Sequence, residues 1–150
     1  MPAMLEPWLA FFHLSAILAW VVFASAQAAL CRVEWLNAAV VRRLARLDTI
    51  LWVATAALLL SGLARIYLGA KGAPWYWGQW LLHLKLTLFL ATVALQVGVT
   101  RRLRRWDARL RAHGGLPDET EIRAARRGLM LATHLVALIP LAAVFLARGW

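Results

Sequence analysis

The sequence predicts an all-α integral membrane protein, a single domain in which four membrane-spanning helices form a bundle. Hydrophobic residues make up 63% of the chain, more than a soluble domain normally carries. They concentrate in four runs long enough to cross a bilayer, at about residues 5–30, 48–67, 80–99 and 129–146. The net charge of +10 comes mainly from arginines that flank these runs. This distribution favours contact with a membrane surface over binding of nucleic acid.

Span one, at 5–30, carries His13, Trp20 and Gln27 on one helical face, because successive residues are rotated by about 100° around a helix. The run begins with Glu6 and no Lys or Arg, whereas a signal peptide begins with positive residues. We therefore expect a retained span, followed by a partly helical connector at 31–47 on the membrane surface.

Span two is expected to start near Asp48, a residue type that favours the N-cap position of a helix, and to end near Tyr67. Ser61 and Arg65 lie on one face of this span together with small residues. The loop that follows combines glycine and proline with several aromatic residues, which predicts a break before the next helix.

Span three, at 80–99, contains His83 and Lys85 within an apolar run. A lysine inside a bilayer costs roughly 2.5–3.5 kcal/mol, so Lys85 requires a partner, water or a route to the interface. Lys85 shares its face with polar Gln96, and His83 shares the opposite face with small residues such as Gly98. We expect this helix to be central and packed on both faces.

Connector 100–128 is the one strongly polar segment. It is expected to form two helical pieces around the Gly114–Pro117 break, with Asp118 or Thr120 starting the second piece. Span four, at 129–146, contains His134 and Pro140, and the proline is expected to kink the helix or loosen its hydrogen bonds.

Positive charge predicts the orientation of the bundle. The connectors at 31–47 and 100–128 hold four and nine arginines. The other side holds three Lys or Arg residues, namely Arg65 at the end of span two, Lys71 in the loop after it and Arg148 at the C-terminus. Loops rich in these residues stay in the cytoplasm. We therefore predict a multi-pass protein of the bacterial cytoplasmic membrane with both termini outside.

Five polar residues are predicted to lie in the outer half of the membrane: His13, Arg65, Lys71, His83 and Lys85. Two histidines on different helices are suitable axial ligands for a haem, and the cations are suitable partners for its propionates. The alternative is that the histidines only form hydrogen bonds to neighbouring helices, while the cations reach the interface. His134 is expected to have a structural role.

Other chemistries have weaker support in the sequence. The single cysteine, Cys31, excludes an internal disulfide, and only three methionines are present for copper transport. No acidic residue is predicted to lie inside a span, because Asp48 is placed at a helix start, and this argues against a proton or ion carrier. No nucleophile–base pair stands out, so whether the protein is an enzyme stays open.

Several short motifs are spread along nearly the whole chain. They are Arg43–Asp48, Ser61-Gly62 with Arg65, Gly69–Gly72, Lys85–Phe89 and Ala147–Gly149. Together they resemble a bacterial family of predicted four-span membrane proteins of unassigned function, over nearly the whole chain. That family often has an acidic residue late in span one, where this chain has Gln27.

More distantly, the chain is similar to haem-containing membrane protoporphyrinogen oxidases of the HemJ type and to CopD-type membrane domains. The shared features are His13 followed seven residues later by Trp20, and the His83–Leu86 run with Trp80 just ahead. The resemblance implies a haem b ligand at His13 and a functional role for Lys85. The last span lacks the Asn-Glu-x-Pro run of the oxidase.

The sequence therefore predicts a membrane protein that holds haem b near its outer face, for electron transfer or for haem and porphyrin handling. In this hypothesis His13 and His83 bind the iron, Arg65 and Lys71 bind the propionates, and Lys85 is a site residue. The alternative is a cofactor-free structural or assembly subunit of a larger membrane complex. Expected partners are the bilayer, anionic lipid headgroups at the arginine-rich connectors, and other membrane subunits or further copies of the chain.

Overall fold

The computed structural model describes residues 2–148 and contains four long helices and one short helix. They are α1 (Pro2–Leu30), α2 (Ala38–Leu68), α3 (Ala73–Trp77), α4 (Trp80–His113) and α5 (Glu119–Ala147), with a 3-10 turn at Val33–Trp35. Helix α1 packs along α2 and helix α4 along α5, and the two hairpins meet through α2 with α4 and α1 with α5. All four long helices are long and apolar enough to cross a membrane. The predicted all-α membrane bundle is confirmed.

Helices α2, α4 and α5 extend well beyond the predicted membrane spans. Helix α4 has 34 residues, about 51 Å at helical rise, against a hydrocarbon core of about 30 Å. Its excess length carries arginines, which continue the helix because arginine is a good helix former. The apolar runs therefore predict which part of each helix crosses the bilayer. They do not predict where the helix ends, which depends on local capping.

The prediction that a helix starts near Asp48, with this residue as its N-cap, is wrong. Helix α2 begins ten residues earlier, where the Asn37 side chain accepts a hydrogen bond of 3.0 Å from the Val40 amide. The segment 38–47 is helical because Val41 and Leu44 are buried in the core, and this tertiary packing stabilises the additional helical turns. Asp48 consequently lies inside α2, with 3% of its surface exposed.

The predicted break in the second connector is confirmed. Helix α4 ends at Gly114, whose φ of +72° is the left-handed conformation that glycine adopts readily. Asp118 caps α5 by accepting from the Glu121 amide at 2.8 Å, and the Glu121 side chain accepts from the Asp118 amide in return. Hydrogen bonds from Thr120 and the Glu121 amide hold the pKa of Asp118 below its usual range.

The core has three layers along the bundle. The arginine end, which carries residues 31–37 and 114–118, packs around Leu44, Leu103 and Trp106. The middle layer packs around Trp20 and Leu51. The loop end, which carries residues 69–79, has a smaller cluster of Ile66, Leu81, Leu82, Ala142 and Leu146.

Candidate functional site

A cavity of about 460 Å³ lies between all four long helices near the loop end. Charged and titratable side chains line one part of it: Glu6, His13, Arg65, Lys71 and Lys85. Apolar side chains line the rest, among them Ile17, Leu58, Leu86, Phe89, Val136 and Ile139. Glu6 and Ile17 are about 16 Å apart along α1 at helical rise. The cavity is therefore amphipathic and elongated along the bundle.

His13 is held against helix α2. Its Nδ1 lies 3.0 Å from the Ser61 hydroxyl, and that hydroxyl donates its single proton to the Leu58 carbonyl at 3.2 Å. This network assigns the ring proton to Nδ1, because Ser61 has no second proton to give. The Nε2 atom of His13 is then the unprotonated nitrogen, available to accept a hydrogen bond or to bind a metal.

One carboxylate compensates part of the positive charge at the cavity. Glu6 lies 3.5 Å from the Arg65 guanidinium, and its other oxygen accepts from the Ala70 amide at 3.1 Å. These two contacts join the start of α1 to the end of α2. Among the residues that the structure describes, three cationic side chains line the cavity with this one acidic residue, so this part of the lining carries an excess of positive charge.

Lys85 is the cation of the cavity lining that has no partner among the described residues. Among residues 2–148, no acceptor and no carboxylate contacts its ammonium group, although the side chain is largely buried in the bundle and lines the cavity. Lys71, by contrast, lies over the ring of Trp75, with Nζ at 3.8 Å from the ring centre. Short helix α3 brings this tryptophan to the cavity, and Gly72, with a φ of +74°, makes the turn that starts α3.

The structure places His83 on the outside of the bundle, apart from His13. The His83 ring is exposed, does not line the cavity, and donates from Nε2 to the Trp77 carbonyl at 3.1 Å. His83 and Lys85 are two residues apart, so they lie about 200° apart around α4 and only one of them faces inward. The geometry therefore does not support iron held by His13 and His83 together. Of the other predicted site residues, His13, Arg65, Lys71 and Lys85 share the cavity.

His134 also lies away from the cavity. Its ring is exposed, and Nδ1 bonds to the Met130 carbonyl of its own helix at 2.6 Å. Within the described chain, no group of three or more His, Cys, Asp or Glu side chains is placed to hold a metal ion. The single imidazole in the cavity does not fit a haem with two histidine ligands.

A buried polar network lies in the middle of the bundle and was not predicted from the sequence. The Trp20 indole donates to the Thr55 hydroxyl at 3.1 Å, and that hydroxyl lies 2.9 Å from Gln96 Oε1. The network joins α1, α2 and α4. In the sequence, Trp20 and Gln96 each lie on a helical face that carries other polar residues, and this pattern indicates a polar contact. The spacing does not indicate which residue each of them contacts.

Cys31 is a packing residue. It is completely buried, with Sγ at 3.8 Å from the Ile122 carbonyl, and burial raises the pKa of its thiol to about 11 despite the nearby charge of Arg126. A thiol of this kind carries little thiolate near neutral pH and is a poor nucleophile.

The fold and the cavity together define an integral membrane protein, a bundle of four apolar helices around an amphipathic cavity. The chain belongs to the DUF2214 family of predicted membrane proteins, whose model matches residues 6–150. This agrees with the resemblance to a membrane protein family of unassigned function. Comparisons with curated proteins and with solved structures gave no match. The more distant similarity to HemJ-type oxidases and CopD-type domains stays a prediction.

Proposed function

We propose that this protein binds an amphipathic, anionic molecule of the membrane in the cavity at the loop end. The anionic group binds at Lys85 and Arg65, and the apolar body lies among the residues of α4 and α5 that line the remainder of the cavity. The observation that carries this proposal is the ammonium of Lys85, which lines a mostly apolar cavity without an acceptor in the described chain.

The energetics of lysine in a bilayer support an anionic ligand. An unpaired intramembrane cation is costly and marks a functional site more often than a structural one. Glu6 is already engaged by Arg65 and the Ala70 amide, so it does not serve Lys85. A ligand carboxylate beside Lys85 forms a charge-assisted hydrogen bond, which contributes about 1.5–3 kcal/mol.

Haem and porphyrins, which are flat rings with carboxylate side chains, belong to this ligand class. Haem or porphyrin handling is therefore a more specific form of the proposal. His13 would then supply one imidazole for such a group, and Arg65, Lys71 and Lys85 would bind its carboxylates. A bound haem supplies redox chemistry. The residues of this chain supply charge compensation and one nitrogen ligand.

The proposed site of action is the bacterial cytoplasmic membrane. In the orientation that the arginine distribution favours, the cavity lies near the outer surface, and the arginine end contacts anionic lipid headgroups on the inner surface. The Arg32 guanidinium over the Trp35 ring, 5.0 Å from its centre, is a pair suited to the headgroup region.

A structural role in a larger assembly has one observation in its favour. The small-residue stripe of α4 (Thr87, Ala91, Ala94 and Gly98) was expected to pack within the bundle, but its first three residues are exposed, and a Cβ added at Gly98 meets nothing within 4 Å. Small residues at an outer helix face permit close approach of another membrane helix. This face is the second candidate, as a contact with another subunit or a further copy.

Ligand titration tests the first proposal. Full-length protein in lipid nanodiscs is titrated with protoporphyrin IX, with its dimethyl ester and with a long-chain fatty acid. We expect Lys85→Gln to weaken binding of the two carboxylate probes roughly 10- to 100-fold. The ester should bind wild type and variant alike.

Arg111→Gln is the matched control, since it removes a cation at the arginine end, where Arg111 pairs with Asp107. This variant should bind like wild type. Equal binding of all probes by wild type and Lys85→Gln would contradict the proposal and leave the assembly role as the better account.

A further inference from the structure

The register of α2 and α4 places Lys85 level with the end of α2. These two helices run in opposite directions, and Thr55 contacts Gln96 at 2.9 Å. Eleven residues further towards the loop end, α2 reaches Ile66 and α4 reaches Lys85, so these two residues lie at about the same level. The packing of Ile66 in one cluster with Leu82, a turn before Lys85, agrees with this register.

His13 meets α2 one turn from Arg65. Its ring lies against Gly62, where an added Cβ would be 3.4 Å from Cε1, and its Nδ1 lies 3.0 Å from the Ser61 hydroxyl. Ser61 and Arg65 are four residues apart, so they share a face of α2 and are separated by about 6 Å along its axis. His13, Arg65 and Lys85 all line the cavity, and we call these three residues the headgroup site.

The headgroup site offers both hydrogen-bond donors and an acceptor. Lysine and arginine side chains only donate, and the five N–H groups of Arg65 leave donors for a ligand beside the contact with Glu6. The tautomer that Ser61 imposes makes Nε2 of His13 an acceptor. A third positive charge beside two others inside a bilayer would be costly, so the ring stays neutral. A ligand that satisfies the whole site is therefore anionic and also donates a hydrogen bond.

A carboxylate satisfies only part of this site, because it accepts from Lys85 and Arg65 but has no O–H for His13 Nε2. A phosphate monoester has three terminal oxygens, and with a second pKa of about 6 it carries or takes up one proton near neutral pH. Two of its oxygens can accept from the cations while the third, as P–O–H, donates to the imidazole. Arginine is also well suited to phosphate, which it binds through two parallel hydrogen bonds.

We propose that the ligand of this cavity is a lipid with a phosphate monoester headgroup. Arg65 and Lys85 bind two phosphate oxygens, and His13 Nε2 accepts from the P–O–H group. The lipid chain lies along the apolar lining, which includes Phe89 and Val136. This assignment rests on the proposed anionic site at Lys85. Inorganic phosphate has the same headgroup chemistry but leaves the apolar lining uncovered, so it binds more weakly.

Calorimetric titration of the full-length protein in lipid nanodiscs tests the headgroup, with empty nanodiscs as the baseline for partition into lipid. The probes are dodecyl phosphate, its methyl ester, dodecanoate and inorganic phosphate. We expect dodecyl phosphate to bind most tightly, since the methyl ester and dodecanoate have no O–H for the imidazole. His13→Leu should weaken dodecyl phosphate binding roughly 10-fold and leave the methyl ester and dodecanoate unchanged.

Two further variants support this comparison. His134→Leu is the matched control, since it removes an exposed imidazole that bonds to the Met130 carbonyl of its own helix, and it should bind every probe like wild type. Ser61→Ala keeps the imidazole of His13 and removes the partner of Nδ1. It should weaken dodecyl phosphate selectively, and it carries the test if His13→Leu does not fold.

Three results would overturn the phosphate assignment. They are equal binding of dodecyl phosphate and its methyl ester in wild type, equal weakening of all probes in His13→Leu, and binding of inorganic phosphate as tight as that of dodecyl phosphate. Loss of dodecanoate binding in Lys85→Gln would still support the anionic site in each case. Only if Lys85→Gln bound every probe like wild type would the proposed function fail as well.

Discussion

The Thr55 hydroxyl is the centre of the buried polar network, and replacing it with valine tests how much that network stabilises the bundle. Thr55 accepts from the Trp20 indole at 3.1 Å and lies 2.9 Å from Gln96 Oε1 and 2.8 Å from the Leu51 carbonyl. Valine has nearly the same shape, so Thr55→Val removes the hydrogen bonds with little change in packing.

The expected cost follows from the groups left behind. The Trp20 indole is 2% exposed and loses its acceptor, and a buried donor without a partner costs about 1–3 kcal/mol. Hydrogen bonds between membrane helices average about 0.6 kcal/mol, because the unfolded chain in the membrane also finds partners. We therefore expect Thr55→Val to lower the free energy of unfolding by about 1–2 kcal/mol.

The assay is reversible unfolding of the purified protein in mixed detergent micelles, followed by tryptophan fluorescence and circular dichroism. Thr49→Val is the control, since the Thr49 hydroxyl is exposed and bonds only to the Ala45 carbonyl of its own helix at 3.3 Å. It should change stability by less than about 0.5 kcal/mol. Equal effects of the two variants would refute the claim that the network holds α1, α2 and α4 together.

Two further predictions concern the arginine end. Asp118→Ala removes the cap of α5 and should lower the free energy of unfolding by about 0.5–2 kcal/mol, measured by the same unfolding assay. Thr120→Ala leaves the Asp118 bond to the Glu121 amide in place and should lower it by less. An equal loss in the two variants would contradict the capping account. Cys31 should resist maleimide in the folded protein at neutral pH and react after unfolding, because burial raises the pKa of its thiol to about 11. Labelling is read by mass spectrometry. Rapid labelling of the folded protein would contradict this prediction and show that the arginine end is open.

Local signals in the sequence predicted the helix breaks well. Gly114 and Asp118 act through their own backbone conformation and capping chemistry, which need no tertiary information. Asp48 shows the limit of the same reasoning. An acidic residue ahead of an apolar run has the pattern of an N-cap, but the burial of Val41 and Leu44 extends α2 past it, and that burial depends on other helices.

The sequence predicted the depth of the candidate site residues in the bundle but not the directions in which their side chains point. Position along the spans predicted that His13 and Lys85 lie at a similar depth, and in the structure both line the same cavity. Rotation of α4 about its axis is set by packing against α5 and α2, and this rotation directs Lys85 inward and His83 outward. The polar contacts of Asp48 with Thr100 and of Thr55 with Gln96 depend on the same rotation.

The central claim is that the cavity, and not the outer lipid-facing surface, binds an anionic amphiphile through Lys85. Photolabelling with a fatty acid that carries a diazirine in its chain tests it directly, read by mass spectrometry of α4 peptides. Phe89 lines the cavity, whereas its neighbour Leu90 faces outward and is 65% exposed. The account predicts labelling at Phe89 in wild type that is lost in Lys85→Gln. Labelling confined to Leu90 and other outward residues, equal in both proteins, would contradict it.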